Sequence, residues 1–131
     1  WSVQELAPPA CITLAGFDVR TVEVIHAAGA PATALRIEAG GKSFAFSGDT
    51  AWTDALLDIS AGADLFVCEC HSMAPKAPGH MDWPCLRKNL PRLTARRVVI
   101  THMGPEVLAN VDAIQAESGV LAAEDGLVVA I

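Results

Sequence analysis

The hydrophobic pattern of the first third of the chain predicts β-strands. Residues 17–25 are mostly apolar and β-branched, a composition that favours extended structure. Residues 34–39 and 42–47 form two more such segments, and Gly40-Gly41 between them is typical of a hairpin turn. We therefore expect three strands before residue 49, with the last two joined as a hairpin.

The hydrophobic period changes after Asp49 and predicts alternating helices and strands. Apolar side chains from Trp52 to Ile59 follow helical spacing as far as Gly62, and an apolar strand follows at residues 65–70. A second helix is expected after a cap at Asp82, with a strand at residues 97–101 behind it. Two successive β-α-β units predict a mixed α/β layer.

The C-terminal segment carries signals for one more helix and a closing hairpin. Pro105 suits the first turn of a short third helix, because its missing N–H would be unpaired there in any case. The tail from residue 120 to residue 131 has Asp125-Gly126 at its centre, which is a common hairpin turn. The sequence therefore predicts that the chain ends in a pair of strands.

Three residues with metal-binding or acid-base side chains fall at the ends of predicted strands: Asp49, Glu69 and His102. The carboxyl ends of parallel strands meet at one edge of a sheet, so these side chains are expected to converge. Two acids and an imidazole at one edge indicate a functional site. Taken singly, Asp49 could be a helix cap, His102 a hydrogen-bonded structural histidine and Glu69 an anchor for backbone N–H groups.

Composition restricts the class of function. The chain has 131 residues, of which 52% are hydrophobic, enough for the core of one domain. It contains no run of about 20 apolar residues, so no membrane span is expected. The net charge of −6 disfavours binding to nucleic acid. Cys68 and Cys70 lie in an apolar strand, which indicates buried thiols in a reducing compartment, the cytoplasm.

Several motifs at these strand ends resemble those of the metallo-β-lactamase superfamily. The segments Phe46-Ser47-Gly48-Asp49-Thr50 and Ile100-Thr101-His102-Met103 are similar to its GDT and TH motifs in order and spacing. The ribonuclease Z-like branch is resembled most, through Val24-Ile25-His26 ahead of Ala34-Leu35-Arg36-Ile37, Ala63-Asp64-Leu65 ahead of Glu69, His80 in Gly79-His80-Met81, and Glu124-Asp125-Gly126. The resemblance covers residues 17–131. It implies an α/β fold, the C-terminal half of an αββα sandwich, with a mixed sheet and helices on one face.

The resemblance also implies roles for five residues. His26 would bind one zinc ion, His102 would bind a second, and Asp49 would bridge them. Glu69 and His80 would stand outside the metal shell, with His80 as the general acid held by Glu69. The implied activity is hydrolysis of a phosphodiester or ester bond by metal-bound hydroxide.

The chain departs from this family in two respects. The signature His-x-His-x-Asp-His is absent, since the only histidines are His26, His71, His80 and His102. We therefore expect residues 1–131 to form a single partial domain that lacks the N-terminal half and binds zinc weakly or not at all by itself. The long tRNA-gripping insertion is also replaced by a short hairpin, which makes tRNA an unexpected substrate. A small-molecule phosphodiester, ester or lactone is favoured.

Three alternatives remain at this stage. The chain could be a catalytically incomplete half-domain that forms a homodimer or binds the missing N-terminal half. His71 follows Cys68 and Cys70, but alternating strand side chains place it opposite both, which favours core cysteines over a thiolate metal site. A phosphate-accepting receiver domain also has a strand-end acid, but it needs a lysine where this chain has His102.

Overall fold

A seven-stranded mixed sheet forms the centre of the protein. The computed structural model describes Val3 and residues 5–131. In chain order, which is also the order across the sheet, the strands are β1 (Ala10–Leu14), β2 (Phe17–Glu23), β3 (Thr33–Ala39), β4 (Lys42–Phe46), β5 (Leu65–Glu69), β6 (Val98–Thr101) and β7 (Leu121–Ala122). Neighbours are antiparallel from β1 to β4 and parallel from β4 to β7.

Helices connect the parallel strands, as parallel pairing requires a crossover. Helix α1 (Ala55–Ser60) joins β4 to β5, and α2 (Trp83–Asn89) with the 3-10 turn Leu90–Arg92 joins β5 to β6. Helices α3 (Pro105–Leu108) and α4 (Val111–Ser118) lie between β6 and β7. The predicted cap of α2 is confirmed, because the Asp82 side chain accepts a hydrogen bond from the backbone N–H of Cys85.

The hairpin predicted at Gly40-Gly41 is also confirmed. Both glycines have positive φ, 57° and 74°, and Ala39 pairs with Lys42 across the turn. Positive φ at both central positions defines the type of two-residue turn whose twist matches that of the flanking strands. Glycine adopts this backbone without steric strain.

The hydrophobic core lies on one face of the sheet, and buried residues from all four helices pack against it. The sheet contributes Ala45 from β4, Phe66 and Cys68 from β5, and Ile100 from β6. The helices contribute Leu56, Ile59, Trp83, Leu86, Val107 and Ile114. The predicted arrangement, a mixed sheet with helices on one face, is therefore confirmed.

The opposite face of the antiparallel strands is apolar but only partly buried. Leu35 in β3 and Phe44 and Phe46 in β4 point to this side and retain intermediate exposure. Near the β1–β2 turn, Leu14 is 64% exposed and Phe17 is 49% exposed. In the αββα sandwich, a second sheet packs against the face that the helices leave uncovered.

The predicted C-terminal hairpin is wrong. Asp125 and Gly126 do form a turn, but β7 ends before it and pairs in parallel with β6. A hairpin needs a strand on each side of its turn, and residues 127–131 are not in a strand. Arg97 instead donates a side-chain hydrogen bond to the backbone carbonyl of Ala130 at 2.6 Å.

Candidate metal centre

The strand ends bring Asp49, Glu69 and His102 together, as the sequence predicts. Asp49 follows β4, Glu69 ends β5, and His102 follows β6 directly. His102 Nε2 lies 3.8 Å from Asp49 Oδ2 and 3.8 Å from Glu69 Oε1. Two carboxylates and an imidazole therefore face one another at the carboxyl edge of the parallel strands.

The segment that carries Asp49 is held by hydrogen bonds on both sides. The Ser47 hydroxyl accepts from the backbone N–H of Glu69 at 2.9 Å and donates to the carbonyl of Gly48 at 2.6 Å. The Thr50 hydroxyl accepts from the backbone N–H of Ile25 at 3.0 Å. Asp49 itself keeps a side-chain exposure of 42%, so its carboxylate stays accessible while its backbone is fixed.

Two backbone features shape this edge of the sheet. Gly48 has φ of +61°, and a Cβ there would stand 2.8 Å from the carbonyl oxygen of Thr33. His102 has φ of +53°, a region that non-glycine residues seldom occupy and that is enriched at functional sites. The Gly48 backbone leads directly into Asp49, and the His102 backbone turns the chain just as β6 ends.

Glu69 is a buried carboxylate with a full set of partners. Its side chain is 1% exposed, and Oε2 accepts from the backbone N–H of Thr50 at 2.6 Å and of Met81 at 3.3 Å. Oε1 contacts Nδ1 of His80. Glu69 thus anchors two loops by accepting from their backbone N–H groups, and it also contacts His80. The two roles that the sequence left open for Glu69 therefore occur together.

Hydrogen bonds define which ring nitrogens of His26 and His80 are available. His26 Nδ1 lies 3.0 Å from the carbonyl oxygen of Gly79, which can only accept, so Nδ1 carries the proton. His80 Nδ1 contacts the Glu69 carboxylate, which accepts in the same way. The Nε2 of each ring is therefore the nitrogen left free to contact a metal ion or a substrate.

His71 belongs to this group, although the sequence analysis assigned it no function. Its ring centroid lies 4.8 Å from that of His80 and 5.1 Å from that of His102. Among the described residues, its Nδ1 is the one buried side-chain polar atom without a hydrogen-bond partner. The available signal was its position two residues after Glu69, because alternating side chains place both on the same side of the sheet.

The cysteines near His71 face away from this edge. Cys68 and Cys70 are fully buried in the core, and all four cysteines are free thiols. Burial raises the pKa of Cys70 to about 12 and also raises the pKa of Cys68. The burial of both side chains in the core confirms core cysteines rather than a thiolate site, since only the thiolate binds metal well.

The donor set fits a transition-metal ion. One potential ligand atom from each of Glu69, His71, His80 and His102 lies within 4.8 Å of the other three. Imidazole nitrogen and carboxylate oxygen are preferred donors for zinc and related divalent ions. His26 borders this group through His80, with ring centroids 4.7 Å apart.

The chain belongs to the β-lactamase superfamily, whose domain model matches residues 1–103. This confirms the superfamily predicted from the strand-end motifs and assigns the chain to a family of hydrolases. No curated protein sequence matches this chain significantly.

Solved metallo-β-lactamase-fold structures share the fold of this chain. YhfI from Bacillus subtilis superimposes with a TM-score of 0.76 at 22% identity, over 93% of this chain and 53% of that one. Zn²⁺-bound PqqB from Methylobacterium extorquens gives 0.74 at 20% identity, over 98% and 52%. The short form of human tRNase Z gives 0.69 at 21% identity, over 92% and 45%. The chain thus spans about half the length of the structures it resembles.

No helix in the described part of the chain has the length and apolar character needed to cross a membrane.

Proposed function

We propose that this chain supplies part of the active site of a zinc-dependent hydrolase that cleaves a phosphodiester or ester bond. The observation that carries the proposal is the position of His102 Nε2, 3.8 Å from the carboxylates of both Asp49 and Glu69. In a chain of the β-lactamase superfamily, such an edge of acids and imidazoles is suited to metal-dependent hydrolysis.

Asp49, His102 and His26 are the proposed zinc ligands. Asp49 would bridge two ions, because its carboxylate has two oxygens and 42% of the side chain is accessible. His102 would bind one ion and His26 the other, the latter through the Nε2 that its bond to Gly79 leaves unprotonated. Zinc bound there supplies Lewis-acid activation of water and substrate.

Glu69 and His80 are proposed to move the proton that the leaving group requires. Glu69 Oε1 holds Nδ1 of His80, which fixes the orientation of the ring. His80 is 20% exposed, so its Nε2 can carry a proton to a bound substrate. Glu69 acts only through His80, since it is almost fully buried.

The proposed substrate is a small molecule rather than tRNA. The acidic net charge of −6 opposes a polyanion, and the turn between β3 and β4 consists of only Gly40 and Gly41. That short hairpin stands where tRNA-processing members of the resembled branch carry a long arm. The cytoplasm is the proposed location, supported by four free cysteines of which two are buried.

The test is hydrolysis by the zinc-loaded protein that carries this chain, with bis(p-nitrophenyl) phosphate and p-nitrophenyl acetate as substrates. Asp49→Ala is expected to abolish turnover, because it removes the carboxylate shared by both ions. Asp58→Ala is the matched control, since Asp58 is an exposed acid on α1, away from the strand ends. Full activity in Asp49→Ala would refute the proposed role of Asp49.

A second candidate function is association between two copies of this chain through the uncovered face of the sheet. The partly exposed side chains of Leu14, Phe17 and Phe46 favour it, because a soluble monomer seldom leaves a large apolar patch uncovered. Light scattering tests it directly: this candidate predicts a dimer that Phe17→Glu weakens. A monomer at all concentrations would exclude it.

A further inference from the structure

We propose that a cavity beside the strand ends binds an anionic group of the substrate, a carboxylate or a phosphate, away from the bond that is cleaved. Lys76 would recognise this anion and so determine which substrates bind. The inference rests on the proposed hydrolase function, because it specifies the substrate of the same edge of the sheet. The cavity is lined by four residues of the loop after β5, among them His71 and Lys76, and by residues 104–106 at the start of α3.

The cavity adjoins the proposed hydrolytic centre through His71. The ring centroid of His71 lies 4.8 Å from that of His80 and 5.1 Å from that of His102. A substrate whose scissile bond lies at His102 can therefore extend past His71 into the cavity. The cavity volume of about 430 Å³ is within the range of about 300–1,000 Å³ that is usual for small-molecule sites.

Hydrogen bonds hold the two walls of the cavity in place. The backbone carbonyl of His71 accepts from the N–H of Gly104 at 2.9 Å, and a Cβ on Gly104 would stand 2.6 Å from that oxygen, so this close approach requires glycine. In the loop after β5, the Ser72 hydroxyl donates to the carbonyl of Ala74 at 2.6 Å. The N–H of Lys76 donates to the same carbonyl at 2.7 Å. The backbone that carries Lys76 is therefore fixed beside the cavity.

The side chain of Lys76 is free to exchange its partner. Among the described residues that line the cavity, Lys76 is the only basic one. Its ammonium nitrogen lies 2.7 Å from Glu106 Oε1, and the two side chains are 63% and 53% exposed. An ion pair as exposed as this contributes little to stability, so a substrate anion can replace the Glu106 carboxylate.

The charge around the cavity explains why an anionic group would need this lysine. The neighbouring edge carries the carboxylates of Asp49 and Glu69, and the chain has a net charge of −6. Both repel an anion at short range. The ammonium of Lys76 offsets this repulsion and has three N–H donors for the oxygens of a carboxylate or a phosphate.

Binding of small anions to the metal-free protein tests the cavity without relying on catalysis. Benzoate and phenyl phosphate are the probes, and benzamide is the neutral control. A nitrogen-15 NMR titration reports binding through the backbone amide shifts of Ala77 and Gly104, which line the cavity. Both anions should bind and move these shifts, and benzamide should not.

Variants of the ion pair identify the group that recognises the anion. Lys76→Gln should weaken anion binding about tenfold, the effect of one charge-assisted hydrogen bond. Lys76→Arg keeps the charge and should retain binding. Glu106→Gln should tighten binding, because it removes the competing carboxylate, a result that a merely structural ion pair would not give.

Lys42→Gln is the matched control, because Lys42 is an exposed lysine at the start of β4, away from the carboxyl edge. It should bind both anions as wild type does. The proposal is overturned if the anions bind no better than benzamide or if Lys76→Gln keeps the wild-type affinity. It is also overturned if Lys42→Gln loses as much affinity as Lys76→Gln.

Hydrolysis then relates the cavity to the substrate. Mono(p-nitrophenyl) succinate carries a carboxylate that p-nitrophenyl acetate lacks, and both esters release p-nitrophenolate. In the zinc-loaded protein, Lys76→Gln should lower kcat/KM for the succinate relative to the acetate about tenfold, mainly through KM. An unchanged ratio would overturn the role of Lys76 in substrate selection. If wild type hydrolyses neither ester, the hydrolase proposal fails, while the anion titration still decides whether the cavity binds an anion.

Discussion

Replacement of Gly48 by alanine tests how the chain shapes the edge of the sheet. Gly48 has φ of +61°, and an added Cβ would stand 2.8 Å from the carbonyl oxygen of Thr33. That oxygen belongs to the first residue of β3, so it cannot retreat without moving the strand. Gly62 is the matched control, because its φ is +62° but a Cβ there would meet nothing within 4 Å.

The two variants share one energetic cost and differ in another. Positive φ costs an alanine about 1–2 kcal/mol, while the lower entropy of the unfolded chain returns about 0.4–1 kcal/mol in both variants. Only Gly48→Ala adds a steric clash with a fixed backbone atom, for which overpacking costs of about 1–3 kcal/mol are typical. We therefore expect Gly48→Ala to lose about 1–3 kcal/mol more stability than Gly62→Ala.

Urea denaturation followed by tryptophan fluorescence gives the free energy of unfolding for wild type and both variants. The slope against urea should be unchanged, so the difference appears in the midpoint. Equal losses in Gly48→Ala and Gly62→Ala would refute the steric argument. A Gly48→Ala variant that also lost metal affinity would connect this turn to the position of Asp49.

Three smaller predictions concern stability and thiol reactivity. Ser47→Ala removes the hydroxyl that accepts from the N–H at the end of β5, and should cost about 1–3 kcal/mol by urea denaturation, where no loss would contradict the assignment. The backbone N–H of Ser43 lowers the pKa of Asp64, and the Ser43 hydroxyl and nearby cations make smaller contributions. The ionised Asp64 carboxylate therefore stabilises the fold above about pH 4, and this stabilisation is lost as the pH falls further. Asp64→Asn should flatten the acid loss in unfolding midpoints, and an unchanged profile would count against this. At pH 8 a maleimide should label exposed Cys11 but leave buried Cys70 unlabelled until denaturant is added, and equal rates would argue against burial.

The elements predicted from sequence include the most densely buried strand. Strand β5 has four of its five residues buried, and this dense apolar signal identifies it without any tertiary information. Strand β1 and helix α4 were missed because their signal is weak. In β1 only Ala10 and Ile12 are even partly buried, and in α4 only Ile114 is fully buried.

The same contrast applies to the site. Asp49, Glu69 and His102 were predictable because each stands at the end of a recognisable strand, and parallel strand ends meet at one edge. The grouping of His71 with His80 depends on the long loop between β5 and α2, which returns to the sheet through the bond between His71 N and Met81 O. No residue spacing in the sequence predicts that this loop folds back against the end of β5.

The most direct test of the central claim, that the carboxyl edge of the parallel strands is a metal centre, is anomalous diffraction at the zinc edge from crystals grown with zinc. The account predicts a peak about 2.0–2.1 Å from His102 Nε2, because His102 is a proposed zinc ligand. Crystals grown with saturating zinc that show no anomalous peak at this edge, or a peak only elsewhere, would contradict the claim.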